Sequence, residues 1–369
     1  MTTRILASAS PGEVRVAVVR DGALLDYAIW RPGAPDGVGD LYRGRVTARV
    51  TAMAGAFVAL GGTEGFLPDS EGGAALTEGD MAVVRITRAA QGGKGPRLAA
   101  QPDVPAHGEA VGLIARGEGP LVELADRFPD AAVDVDDPTL AARLRARLGG
   151  RLSFGTKPFA DDVLERMEEL ERPVVDLPGG ARLHIHPTPA LVAIDVDAAG
   201  ALATGGVGAA AHLAVNRSVI PELARQIRLR NLSGAILVDF AGLSARRRAT
   251  LGPALGAALA DDPLHPRLLG FTALGFAEIV RPRVRPPLHE LLAGPHAAGL
   301  AALRCIAAAH AVPPHRLPAL RAAPAVIAAL EADAEALADL ARRAGRPLIL
   351  HADTALGTSE WVVDDERGG

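Results

Sequence analysis

The chain has 369 residues, of which 49% are hydrophobic and 22% charged, and its formal net charge is −4 at pH 7. This length and composition indicate a globular protein that buries real cores, divided into two or three domains. The negative balance excludes a general attraction to nucleic acid, so a nucleic-acid partner would need local basic patches.

Membrane insertion and secretion are not expected from the sequence. No uninterrupted apolar run reaches the ~18 residues that a membrane span needs, and the first segment meets charges too early for a secretory signal. The single cysteine, Cys305, excludes an intrachain disulfide and a cysteine-pair zinc site. We therefore expect a cytoplasmic protein without a membrane partner, in which Cys305 fills a core.

The first hundred residues read as short strands. The segments "RILASAS", "EVRVAVVRDG" and "ALLDYAIWRP" predict an antiparallel meander with turn residues between its strands. From Gly39 to Ala100, roughly five further strands with glycine-rich corners predict a small OB-type barrel.

Aromatic residues and a rare lysine make the barrel segment a candidate RNA-binding module. Tyr42, Phe57 and Phe66 lie in this segment, and Lys94 in "QGGKGPR" is one of two lysines in the chain. Barrels of this kind stack bases on exposed rings and hold the backbone with cations. For any single ring, packing in the core is an equally good interpretation.

The rest of the chain alternates strands and helices. Residues 103 to 175 give mixed signals, among them the acidic helix of "PFADDVLERMEELERP". Beyond Val174 come strands, a long helix around "NRSVIPELARQIRLRN" and the strand "GAILVDF", an order typical of an α/β or α+β catalytic core. The alanine-rich tail from about Gly299 predicts helices that end in a strand, "PLILHADT".

Acidic residues interrupt two of these strands. In "LVAIDVDAAG", strand alternation places Asp195 and Asp197 on one face, about 6–7 Å apart, where they repel each other unless a cation is near. Asp239 is inserted just before Phe240 in the apolar strand "AILVDF", where burying an ionised carboxylate is costly unless it is paired or bound to a metal. Carboxylates from two strand ends suit Mg²⁺, which takes one or two of them. The alternative, that these aspartates form turns or cap helices, stays open.

Histidines and arginines supply further candidates. His184 and His186 share a strand face and could be metal ligands, although satisfied histidines are the commoner case. Between Arg217 and Arg248 there are seven arginines and two acids. The stretch "VRPRVRPP" follows with Arg281, Arg283 and Arg285. These cations could contact RNA phosphates, but alone they are more typical of a solvated helix face.

Together these residues resemble the ribonuclease E/G endoribonucleases of bacteria. The resemblance extends in unbroken order over about residues 1 to 290 and is specific because several blocks match. The matching blocks are "LYRGRVTARV…AGAFVALGGTEGFLP", "QGGKGPRLAA", "VDLPGGARLHIHPTPALVAIDVDAAG", "NRSVIPELARQIRLRNLSGAILVDF" and "GFAEIVRPRVRPPL".

The resemblance implies a mixed α/β (α+β) architecture. It consists of an RNase H-like domain interrupted by an OB-type RNA-binding barrel, then a DNase I-like catalytic region and a small C-terminal domain. The expected bounds are 1–38 and 102–175 for the two RNase H-like parts, 39–101 for the barrel, 176–295 for the catalytic region and 299–369 for the C-terminal domain.

The resemblance also implies Mg²⁺-dependent cleavage of single-stranded RNA, in the processing of ribosomal and other RNA or in decay. By motif, Asp195 and Asp239 match the two metal-binding aspartates, and Asp197 falls at a catalytic position where the family usually has asparagine. The expected RNA contacts are Phe57, Phe66 and Lys94 at the barrel and its exit, with Arg225 and its helix binding phosphates.

Departures from the family pattern modify these expectations. Almost no residues remain for the subdomain that senses a 5′-monophosphate, so we expect no strong preference for such ends. The cysteine pair of the zinc link is missing after "PPL", so zinc-linked tetramers are not expected, while homo-oligomers stay open. Asp197, and Gly200 where a basic residue is common, put activity in doubt. The alternatives are a weakened or inactive RNA-binding protein of the same fold, or a scaffold for protein partners.

Overall fold

The computed structural model describes residues 2–104, 108, 110–155, 158–205, 208–309 and 319–364. The strands within them are β1 (Thr3–Ser10), β2 (Glu13–Arg20), β3 (Ala23–Trp30), β4 (Leu41–Val50), β5 (Gly55–Ala59), β6 (Glu64–Pro68), β7 (Met81–Arg88), β8 (Arg97–Ala100), β9 (Gly112–Ala115), β10 (Ala132–Val135), β11 (Leu152–Phe154), β12 (Val174–Asp176), β13 (Arg182–Pro187), β14 (Val192–Asp197), β15 (Gly234–Asp239), β16 (Arg267–Phe271), β17 (Ala277–Arg281), β18 (Ala319–Ala322), β19 (Ile349–Ala352) and β20 (Trp361–Asp364). The α-helices are α1 (Pro120–Arg127), α2 (Pro138–Leu148), α3 (Asp161–Glu169), α4 (Ala199–Gly205), α5 (Ala209–Leu229), α6 (Ala245–Arg248), α7 (Gly252–Leu259), α8 (Leu288–Leu291), α9 (Gly294–Ala309), α10 (Pro324–Ala332) and α11 (Ala334–Ala344).

The chain forms two compact units. One comprises Met1–Ile29, Phe128–Arg283 and Pro287–Gly369, and the other comprises Trp30–Arg127 with Val284–Pro286. The predicted mixed α/β class is confirmed, while the expected division into named domains stays a prediction. None of the helices in the described ranges combines the length and the hydropathy that crossing a bilayer requires.

The smaller unit is built on a closed barrel. Its strands follow the order β5, β6, β8, β7, β4, and the barrel closes because β4 also pairs with β5. Buried apolar side chains fill the interior, among them Val46, Val58, Leu67, Val84 and Leu98. The predicted barrel of about five strands is thereby confirmed, and β9 adds to the outer edge of β4.

The larger unit begins with a sheet of order β11, β10, β1, β2, β3, in which β1, β2 and β3 form the predicted meander. Glu13 of β2 is 2% exposed and accepts hydrogen bonds from Arg15 Nε at 2.9 Å and from Arg304 Nη1 at 3.0 Å. Because Arg304 belongs to α9, this buried carboxylate fastens the C-terminal helices to the first sheet.

A second sheet, of order β12, β13, β14, β15, β17, β16, carries the acidic strands. Its central pair, β14 and β15, is parallel, and the pairs on either side are antiparallel. Helices α5 and α7 cover one face and bury its apolar side chains in a common core. The opposite face of β14 and β15 carries the polar side chains because alternate residues of a strand point to opposite sides.

The long helix α5 is tied to its surroundings at its C-terminal end. The guanidinium of Arg230 donates to the Oε1 atom of Gln226 at 2.8 Å and to the carbonyl oxygens of Arg172 and Glu169 at 2.7 and 3.1 Å. Burial lowers the pKa of Arg230 to about 10, so the side chain is charged at neutral pH.

The arginines of "VRPRVRPP" belong to ion pairs, so the expectation of a solvated helix face is wrong for them. Arg281 pairs with Asp262, and Arg283 pairs with Glu290. Arg285 pairs with Asp36 and with Glu123. Each cation thus has a carboxylate partner supplied by another segment of its own unit.

The C-terminal region contains more strand than the sequence predicted. Helices α9, α10 and α11 share a core with a three-stranded sheet of order β19, β18, β20. Only β19 was expected, although β18 and β20 have the same length of four residues. The expected burial of Cys305 is also wrong, since this cysteine is exposed on α9.

Candidate active site

Asp195 and Asp239 lie side by side at the ends of two parallel strands. The register of β14 and β15 pairs Asp195 directly with Asp239. Neighbouring strands are about 4.8 Å apart, and paired residues point to the same face. The two aspartates are therefore neighbours in this structure, and their role as metal ligands stays a prediction.

The core on the opposite face fixes the direction of these carboxylates. Along β14, Val192, Ile194 and Val196 are buried, whereas Asp195 is exposed and Asp197 is half-buried. A shift of one residue in this register would bury the aspartates and expose three apolar side chains. Burial of the apolar face thus holds the carboxylates at the open face of the sheet.

The two aspartates differ in their partners. The Oδ1 atom of Asp239 lies 2.6 Å from Arg248 Nη1, and the two side chains are 38% and 14% exposed. The side chain of Asp195 makes no hydrogen bond or ion pair within the described part of the chain. The Asp239 carboxylate therefore already has Arg248 as its counter-ion. The Asp195 carboxylate has no such partner among the described residues.

Asp197 also has a local structural role. Its Oδ1 atom accepts a hydrogen bond from the Ala199 N–H at 2.8 Å, at the point where α4 begins. An aspartate that binds a backbone N–H two residues ahead is a common turn former. The turn interpretation that the sequence left open therefore applies to Asp197, and a catalytic role for this residue stays a prediction.

Histidines adjoin the aspartates on the same face. His184 is paired with Asp195 across β13 and β14, and the rings of His184 and His186 stack with centroids 6.4 Å apart. No group of three or more His, Cys, Asp or Glu side chains that could hold a metal occurs among the described residues. Two carboxylates nevertheless fit Mg²⁺, which keeps several waters and needs only one or two protein ligands.

A buried asparagine that the sequence analysis missed supports the end of β15. Asn216 of α5 is 0% exposed. Its Nδ2 atom donates to the carbonyl oxygens of His212 and Ala241, both at 2.8 Å, and the Ala241 N–H donates to its Oδ1 atom at 3.1 Å. Because Ala241 follows Asp239 by two residues, this amide fixes the strand end that carries the carboxylate. An amide among the apolar positions of a long helix was the available signal.

The barrel presents an aromatic pair outside its core. Phe57 and Phe66 face each other across β5 and β6, with ring centroids 5.6 Å apart and an interplanar angle of 66°. Both side chains are half-buried. Tyr42 packs against the barrel core, so the packing alternative holds for that ring.

Cations lie next to the aromatic pair. Arg97 is paired with Phe66 across β6 and β8, and Lys94 lies in the preceding turn, where Gln91 and Lys94 form a bridge. A Cβ atom at Gly95 would lie 1.8 Å from the carbonyl oxygen of Glu64, so glycine is required for this turn to approach β6. The sequence analysis missed Arg97, whose position depends on strand pairing.

Arg225 has a structural role that competes with its predicted one. Its Nε and Nη2 atoms each donate to Glu222 at 2.7 Å, and its Nη1 atom donates to the carbonyl oxygen of Leu24 at 2.8 Å. This arginine therefore joins α5 to β3. Phosphate binding by Arg225 stays a prediction, and an RNA phosphate would have to compete with Glu222.

The part of the chain that holds the aspartates is similar to a known protein family. Residues 157–284 match the model of the ribonuclease E/G family. This ribonuclease E/G segment is the part of the chain that is similar to that family. The ribonuclease E/G segment contains β14, β15, α5 and α6, and thus Asp195, Asp239, Asn216 and Arg248. The family resemblance inferred from the sequence blocks is confirmed here.

Individual relatives agree with this assignment. Ribonuclease E of Nostoc sp. is 36% identical over 126 residues, which cover 34% of this chain and 18% of that protein. Ribonuclease E of Synechocystis sp. is 33% identical over 130 residues and 19% of its length is covered. Ribonuclease G of Escherichia coli is 24% identical over 408 aligned positions, covering 79% of this chain and 82% of that protein. The chain thus spans less than a fifth of the two ribonuclease E proteins and most of ribonuclease G.

Proposed function

We propose that this protein is a Mg²⁺-dependent endoribonuclease that cleaves single-stranded RNA in RNA processing or decay. The observation that carries the proposal is the paired register of Asp195 and Asp239 on one open sheet face, inside the ribonuclease E/G segment. The two neighbouring carboxylates share a single arginine partner and so keep an uncompensated negative charge, which a divalent ion would neutralise.

The proposed metal-binding residues belong to one unit, and the proposed RNA-binding residues of the barrel belong to the other. Asp195 and Asp239 would hold Mg²⁺, which when bound neutralises charge on the phosphodiester and activates water for attack. Asn216 keeps the end of β15 in place, so that the carboxylates meet a substrate without rearrangement. Phe57 and Phe66 would stack bases, and Lys94 and Arg97 would hold neighbouring phosphates.

The wider assignment follows from the same family likeness. We propose that the five-strand barrel is an OB-type RNA-binding domain, interrupting an RNase H-like domain, and that the sheet with the aspartates is the DNase I-like region. A cytoplasmic location suits a protein that acts on cellular RNA. The five-domain division with its bounds at 39, 102, 176 and 299 remains part of this proposal.

A second candidate is an RNA-binding protein that no longer cleaves. The ion pair between Asp239 and Arg248 favours it, because a protein cation already satisfies one of the two carboxylates. The hydrogen bond from the Ala199 N–H to Asp197 adds to this case, because the aspartate that stands at the family's usual asparagine position stabilises a turn. Both candidates predict RNA binding, and only the first predicts shorter products.

The deciding experiment incubates the purified full chain with a 5′-labelled single-stranded RNA, with Mg²⁺ and separately with EDTA. We expect shorter fragments with Mg²⁺ and none with EDTA. RNA binding should weaken steeply as salt rises, because phosphate contacts release counterions. Salt-sensitive binding without any fragments would establish the second candidate, and no binding at all would contradict both.

The aromatic pair offers a test of the RNA-binding surface. Replacing Phe57 or Phe66 by leucine keeps apolar packing but removes a stacking ring, which is worth about 1–3 kcal/mol per base. We expect RNA affinity to fall roughly 5- to 100-fold in fluorescence anisotropy. Phe154→Leu is the matched control, because Phe154 is 55% exposed and lies in the other unit. Equal affinities for all three variants would remove the rings from the RNA surface.

A further inference from the structure

Arg248 is held against Asp239 by charge and by packing of its stem. Its Nη1 atom lies 2.6 Å from Asp239 Oδ1. The stem runs past Gly275, which has a φ of +93°, and a Cβ atom there would lie 3.0 Å from Arg248 Cδ. Glycine at 275 thus leaves the space that brings the guanidinium to the carboxylate.

The ion pair is not reinforced by well-directed hydrogen bonds. Arg248 Nε is buried and has no hydrogen-bond partner, and Asp239 Oδ1 likewise accepts no hydrogen bond of good geometry despite its close charge contact. A guanidinium in a bidentate pair with a carboxylate would use two parallel hydrogen bonds. The contact therefore resembles a replaceable counter-ion more than a structural clamp such as Arg281 with Asp262.

Arg248 lies near two carboxylates but pairs with only one of them. Asp195 is in register with Asp239 on the neighbouring strand and makes no ion pair of its own within the described residues. One arginine therefore compensates one of two adjacent negative charges. The site retains a net charge of about −1, whereas without Arg248 it would present about −2 to a divalent ion.

We infer that Arg248 is a built-in competitor of the divalent ion and sets the metal affinity of the site, an inference that rests on the proposed function. A metal ion that binds Asp239 must either displace the guanidinium or accept a positive charge a few ångströms away. Either effect weakens binding of the ion. In the absence of metal, the same arginine relieves the repulsion between Asp195 and Asp239.

The test is a titration of the full chain with Mn²⁺ in the absence of RNA, with free Mn²⁺ followed by electron paramagnetic resonance. Arg248→Ala is expected to bind Mn²⁺ roughly 5- to 50-fold more tightly than the wild type. Arg248→Gln, which keeps more of the stem, should show the same direction if the alanine variant folds poorly. Arg246→Ala is the matched control, because Arg246 is an exposed cation of the same helix, and it should stay within about twofold.

Thermal unfolding gives a second readout. In EDTA, Arg248→Ala should melt at a lower temperature than the wild type, because the two aspartates lose their counter-ion. Saturating Mn²⁺ should raise its melting temperature by more than it raises that of the wild type, because a ligand stabilises in proportion to its affinity. A Mn²⁺ affinity of Arg248→Ala that equals or falls below that of Arg246→Ala would overturn the inference.

Asp239→Asn, titrated in parallel, separates this inference from the proposed function. If the wild type binds Mn²⁺ and Asp239→Asn does not, the metal site stands, and unchanged affinity in Arg248→Ala then refutes only the competitor. If neither the wild type nor Arg248→Ala binds Mn²⁺, the metal site fails and the inference fails with it. Binding that appears only in Arg248→Ala would support the competitor strongly.

Discussion

Asp239→Asn is expected to reduce Mg²⁺-dependent cleavage of single-stranded RNA by about 100-fold or more, which corresponds to at least ~2.7 kcal/mol of lost transition-state stabilisation. The substitution keeps the size of the side chain and its place beside Asp195 but removes the charge that would hold the ion. RNA affinity should be unchanged or slightly higher, since a negative charge is lost. Product formation on a sequencing gel and anisotropy with the same RNA measure the two effects.

Asp176→Asn provides the matched control for this experiment. Asp176 is an exposed aspartate on β12 of the same sheet, and its partner Arg182 is exposed as well. Asp176→Asn therefore removes the same charge from the same sheet and leaves Asp195 and Asp239 unchanged. We expect its cleavage rate to stay within about twofold of the wild type. Cleavage by Asp239→Asn at the control's rate would remove Asp239 from the active site and leave the nuclease proposal without its carrying observation.

The second large effect concerns stability. Asp262→Ala is expected to lower the free energy of unfolding by about 3–5 kcal/mol, because it leaves the buried guanidinium of Arg281 without its carboxylate counter-ion. Both side chains are 3% exposed, and Arg281 Nε and Nη2 donate to the two oxygens of Asp262 at 2.8 and 3.3 Å. Urea unfolding followed by circular dichroism measures the loss as a lower midpoint.

Two further variants distinguish the cost of an unpaired charge from ordinary packing loss. Asp176→Ala breaks the exposed pair with Arg182, whose side chains are 80% and 56% exposed, and should cost less than ~1 kcal/mol. The double variant Asp262→Leu with Arg281→Met should regain much of the stability, because it leaves no buried charge. A single Asp262→Ala variant as stable as Asp176→Ala would contradict the assignment of this pair as a buried clamp.

Local pattern was sufficient for the elements that carry the site. The alternation in β14 predicted which of its side chains face the core, and the covered and open faces of this strand follow that prediction. The strands of the barrel were predicted from short strand-like segments between glycine-rich corners. The strands β18 and β20 were missed, because each has only four residues and is recognised by its pairing within the three-stranded sheet.

Partners of charged and polar side chains were not predictable in the same way. The arginines of "VRPRVRPP" looked like a solvated basic patch, yet Arg281 finds its carboxylate 19 residues away and Arg285 finds Asp36 at a separation of 249. The clamp of Asn216 on Ala241 and the cation on Asp239 were missed for the same reason. Each depends on which elements become neighbours after folding.

The sequence by itself determined the resemblance of the central segment to the ribonuclease E/G family. It also determined the direction of Asp195 and Asp197, because strand pleat and apolar burial act between residues close in the chain. Only the tertiary structure decided that Asp195 and Asp239 meet in register and that Arg248 forms an ion pair with Asp239. Strand pairing and charge compensation act through space, between groups whose separation the one-dimensional order leaves undetermined.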